Sequence, residues 1–109
     1  MSVHEPGLDR HEWESELESV EQALRDAPYD ALPGLGDLVE RMLAERGYQL
    51  GDPVAGEGEE REVVDQYRSA REIADRCERG EDVDPGDVAA AVDGFRAVYD
   101  HLITAREAP

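Results

Sequence analysis

The chain of 109 residues carries 28 Asp and Glu against eleven Arg and no Lys, a formal net charge of −17. Its length fits one small domain, and its single cysteine, Cys77, excludes an internal disulfide framework and fits a reducing compartment. No apolar stretch approaches the roughly 18 residues of a membrane span.

Charged residues at 36% and aromatics at 6% would also suit a disordered chain. Here, however, the apolar residues recur with the period of a helix, which argues for a folded one. The opening Met1-Ser2-Val3-His4-Glu5-Pro6 lacks a basic region and an apolar run. No secretory signal is therefore expected, and the protein is expected in the cytoplasm.

Four helices follow in chain order. The first is expected from about Asp9 to Asp26, with Trp13, Leu17, Val20 and Leu24 on one stripe. Asp9 is its expected N-cap, with Glu12 three residues on as in a capping box, and Pro28 is its expected stop. The second is expected from Pro33 or Leu35 to Arg46, with Leu35, Leu38, Val39, Met42 and Leu43 inward and Gly47 ending it. After a glycine-rich connection at 48–58, the third is expected over Glu59–Arg79. Its stripe is Val63, Tyr67, Ala70, Ala74 and Cys77, and Gly80 is its stop. The fourth opens with Asp84 as N-cap and Pro85 at the first helical position. It turns Val88, Val92, Phe95, Tyr99 and Leu102 inward, flanked by Ala91, Val98 and Ile103. Short connections within each pair predict two antiparallel hairpins, 9–47 and 59–107, joined by the linker into an all-α four-helix bundle of one domain.

The acid is unevenly spread. Residues 1–27 carry −6, residues 28–47 carry −2, the linker 48–60 carries −4, residues 61–80 balance, and residues 81–109 carry −5. The third helix offers Glu72–Arg76 and Asp75–Arg79 as favourable i, i+4 pairs. The first helix instead sets Glu12 against Glu16 and Glu14 against Glu18, like charges at the same spacing. That acid has three explanations: a solvated face, a docking surface for a basic protein, or a mimic of nucleic-acid phosphates. The partner-binding candidates are Glu12, Glu14, Glu16, Glu18 and Glu21.

Catalytic and metal constellations find little support. A di-iron bundle needs Glu-x-x-His pairs, and Met1, Leu8 and Val98 stand three residues before His4, His11 and His101. The acidic run Glu81-Asp82-Val83-Asp84-Pro85-Gly86-Asp87 lacks the spacing of an EF-hand loop. Gly56-Glu57-Gly58 lacks the Lys, the hydroxyl and the spacing of a phosphate loop. Cys77 sits on an apolar stripe, where a thiol behaves as a small hydrophobe. Without a basic patch, direct nucleic-acid binding is disfavoured. No catalytic residue and no cofactor are assigned.

Two further expectations arise. A line of small residues on the fourth helix, Ala90, Gly94 and Ala97, continued by His101, is a candidate self-association face for a homodimer. A small-ligand or metal-binding bundle would use a gap between the hairpins lined by Trp13, Tyr67, Tyr99 and His101. The leading expectation is a non-enzymatic acidic module that docks a basic partner.

Overall fold

Pro28 sets the first corner of the molecule. A computed structural model describes the backbone of residues 6–48 and 59–107 and the side chains of residues 11–48 and 61–104. It contains α1 (Pro6–Asp26), α2 (Pro28–Glu45), α3 (Glu59–Glu78) and α4 (Pro85–Glu107). Without an N–H, Pro28 cannot bond the Leu24 carbonyl, so α1 stops. Its ring also drives the preceding Ala27 out of the helical region, to φ −149° and ψ 79°. The fixed φ of proline then suits the first position of a new helix. Ala27 N–H still bonds Ala23 O at 2.8 Å, and Ala27 O accepts from Ala31 N–H at 2.9 Å. One residue separates the two helices.

Two expected helix starts are thereby corrected. α2 begins at Pro28, not at Pro33 or Leu35, because a proline that ends one helix can open the next. Pro33 and Gly34 lie inside α2, where Pro33 forgoes one backbone bond near the helix start. α1 begins at Pro6, so Asp9 lies within the helix and not at its N-cap.

The other ends follow the sequence signals. Gly47 at φ +84° and Gly80 at φ +78° take the left-handed conformation that glycine adopts without a Cβ clash. Beyond them, Tyr48 N–H bonds Leu43 O and Glu81 N–H bonds Arg76 O, each at 3.0 Å. Gly47 N–H to Ala44 O and Gly80 N–H to Cys77 O complete two Schellman caps. At the start of α4, the Asp84 carboxylate accepts from Gly86 N–H at 2.8 Å and caps the helix as expected. Of the linker, only Tyr48 is described.

α2 is the central element. It packs against α1, α3 and α4, while α3 also packs against α4. Its buried face is wide, comprising Leu32, Leu35, Gly36, Leu38, Val39, Met42 and Leu43. Phe95, Val98 and Leu102 of α4 meet it, with Trp13, Leu24, Tyr67 and Ala74 completing the same cluster. Burying each large apolar side chain contributes roughly 1.5–3 kcal/mol. Close approach at the centre depends on Gly36: a Cβ there would lie 2.3 Å from Arg71 Nη1 and 3.0 Å from Phe95 Cζ. The expected stripes are inside, with Leu17, Val20, Cys77 and Val92 partly buried at their edges.

Candidate functional site

The arginines act as fasteners between elements. Both terminal nitrogens of Arg41 on α2 donate to the Glu16 carboxylate on α1. Arg96 on α4 donates to Glu21 on α1 at 2.8 Å. Arg71 on α3 reaches over α2 to Asp37 at 2.8 Å and Glu40 at 3.7 Å, holds Asp75 at 3.3 Å, and donates to Pro33 O at 3.4 Å. Gly36 leaves the room for that reach. Arg46 covers the Trp13 ring, its guanidinium carbon 4.6 Å from the ring centroid.

The pairs expected within α3 are replaced. Arg76 and Arg79 both grip Glu81, at 3.2 Å and 2.7 Å, and Asp75 pairs with Arg71. The left-handed Gly80 folds Glu81 back under the last turn of α3, which puts it nearer these guanidiniums than the i−4 acids. The two guanidiniums, Arg79 foremost, hold the Glu81 carboxyl below the usual glutamate range.

The five acidic candidates on α1 separate into two kinds. Glu12, Glu14 and Glu18 are exposed. Glu16 and Glu21 are half-buried, and their carboxylates are committed to Arg41 and Arg96. The like-charge strain read along α1 is therefore partly relieved by cations from α2 and α4. A single helix cannot reveal that relief, because the partners lie 25 and 75 residues away in sequence.

The self-association line also divides. Ala90 and Ala97 are exposed and His101 is half-buried. Gly94 faces α3, where a Cβ would lie 3.4 Å from that of Ala70. With Ala90 it lines a shallow groove of about 290 Å³ against Gln66, Ser69 and Ile73. The glycine thus lets α3 and α4 approach within one chain.

Trp13, Tyr67 and Tyr99 are packed into the core, about 5% exposed or less. Tyr67 and Phe95 meet as tilted rings with centroids 6.0 Å apart. Burial pushes the Tyr67 hydroxyl up to about 12, Arg71 pulling the other way, so it stays protonated at neutral pH. Burial likewise raises the Cys77 thiol, against the opposing pull of Arg76. Among the described residues, no group of three or more His, Cys, Asp or Glu is disposed to hold a metal ion. No described helix is long and apolar enough to cross a membrane. Gly56-Glu57-Gly58 lies outside the described residues.

Two other grooves meet at Tyr29, which individual helix stripes could not reveal. One, of about 380 Å³, runs between the end of α1 and the start of α4 over Leu24, Pro28, Val88, Ala89 and Val92. The other, of about 440 Å³, is lined by Asp30, Cys77, Gly80, Glu81, Asp82 and Val83. The Tyr29 ring borders both, held by its hydroxyl donating to Val83 O at 2.8 Å. Comparison with protein-family models, curated proteins and solved structures returned no match.

Proposed function

We propose that this acidic four-helix bundle is a non-enzymatic interaction module that docks a basic partner protein in a reducing cytoplasm. One observation carries the reading: among the described residues, five arginines are committed to ion pairs within the fold. Arg41, Arg71 and Arg96 tie helix to helix, and Arg76 and Arg79 close the α3–α4 turn. Other carboxylates, exposed Glu12 and Glu18 among them, face solvent. A surface of that sign attracts a basic partner and accelerates its encounter, with strong salt dependence.

The test is affinity capture from native lysate at low salt, with mass-spectrometric identification and a rising-salt release series. Retention of a defined basic protein, released as screening shortens the reach of the charges, is the expected result. Release of DNA-binding proteins alone would move the reading to phosphate mimicry. An empty eluate at every salt concentration would refute docking and leave a solvating surface.

A further inference from the structure

The two grooves that meet at Tyr29 differ in character along one short path. The α1–α4 groove has an apolar floor of Leu24, Val88 and Val92, with Pro28, Pro85 and Ala89 at its mouth. The Glu21–Arg96 ion pair closes its far end. From Leu24 to Pro28 and from Val88 to Val92 it follows about one helical turn on each wall, roughly 6 Å of helix axis. On the other side of the Tyr29 ring, the lining turns acidic with Asp30, Glu81 and Asp82. Glu81 is held by two arginines, whereas Asp30 and Asp82 are exposed and make no ion pair among the described residues. Tyr29 itself is the large apolar side chain left exposed among the described residues, at 36%.

We propose that this composite groove is a docking site for an amphipathic helical segment of a basic protein. The segment places an apolar anchor over Leu24, Val88 and Val92 and an arginine or lysine beyond Tyr29, beside Asp30 and Asp82. This deepens the acidic-docking reading and rests on it. Charge complementarity selects the occupant. The residues lining the two grooves include five carboxylates, Glu21, Asp93, Asp30, Glu81 and Asp82, against two arginines, Arg25 and Arg96, the excess of acid lying on the Tyr29 side. One of those arginines, Arg96, is already neutralised by Glu21. An apolar segment without cations would leave the Tyr29 side unpaired. A cationic segment without an apolar anchor would leave the floor wet. The exposed ring of Tyr29 offers the incoming cation a face as well as two carboxylates.

The probes are two labelled peptides of about sixteen residues, long enough to hold a helix when bound. One carries leucines at i and i+4 among arginines and alanines; the other replaces both leucines with glutamine. The wild type is expected to bind the leucine peptide at least about tenfold tighter, since burying even one leucine exceeds that factor. Ala89→Trp, which fills the mouth from an exposed helical position, is expected to erase the preference without altering charge. Amide-shift mapping on the wild type gives the same answer without a variant, expecting the largest shifts at Leu24, Tyr29, Val88 and Val92. Equal binding of the two peptides would overturn the groove and leave acidic docking intact. A preference that survives in a folded Ala89→Trp variant would overturn the placement. Failure of both peptides to bind even at low salt would sink acidic docking itself. A dimer seen by light scattering and dissolved by Ala89→Trp would give the groove to a second copy and overturn the peptide. Displacement of the leucine peptide by medium-chain fatty alcohol, with no salt dependence, would give it to a small apolar ligand.

Discussion

Gly36 occupies a position where even a methyl group collides. A Cβ would meet Arg71 Nη1 at 2.3 Å and Phe95 Cζ at 3.0 Å, and Phe95 is completely buried. The arginine can swing away, at the loss of its bonds to α2, but the ring is fixed by the core. Gly36→Ala is therefore expected to destabilise by about 1–3 kcal/mol, the usual range for overpacking. Only two residues away in the same helix, and so on another face of it, Gly34 has open space around its missing Cβ. Gly34→Ala is expected to stabilise by up to about 1 kcal/mol through helix propensity. Gly94→Ala falls between, its gain in propensity offset by contact with Ala70 at 3.4 Å. Urea midpoints of the three variants check this order, and a stabilising Gly36→Ala would contradict the packing described. Nothing local distinguishes these glycines, since all three sit in helices and differ only in what a distant helix brings against them.

At the scale of elements, the four-helix arrangement was legible because each helix carries an apolar stripe and a turn residue at its end. Gly47, Gly80 and Asp84 act where their chemistry places them. The start of α2 was not legible, because Pro28 is both the end of one helix and the first position of the next. Leu32, which is fully buried, fell outside the expected helix for that reason. The fasteners were hidden too: Glu16, Glu21 and Arg71 find their partners only after the hairpins fold. The α3–α4 turn offers a pH test of one such fastener. Arg79 and Arg76 hold Glu81 below its ordinary value. A carboxyl depressed by folding contributes stability above its unfolded pKa, and that contribution is lost as pH falls through the folded value. Glu81→Gln is expected to flatten the acid side of the stability–pH curve relative to wild type while the two converge at the lowest pH. Parallel curves throughout would show that the turn does not depend on this carboxylate.

For the whole molecule, two electrostatic effects oppose each other as salt rises. Screening weakens the exposed bridges, each contributing about 1 kcal/mol or less. It also relieves the self-repulsion of a chain at −17. The net charge is large and the bridges among the described residues are few, so relief should dominate. The unfolding midpoint is expected to rise between about 0.1 M and about 1 M sodium chloride, as the Debye length falls from about 10 Å to 3 Å. A midpoint that drops over that range would mean that the bridges outweigh the repulsion. The same surplus of charge is the basis of the docking reading, and stability alone does not separate a useful surface from a merely solvating one. Side-by-side capture with wild type and the Glu12→Gln, Glu14→Gln, Glu18→Gln triple variant does. The account predicts that the basic partner held by wild type at low salt is held far more weakly by the variant and released at lower salt. Equal retention and an identical release profile for the two proteins would contradict it.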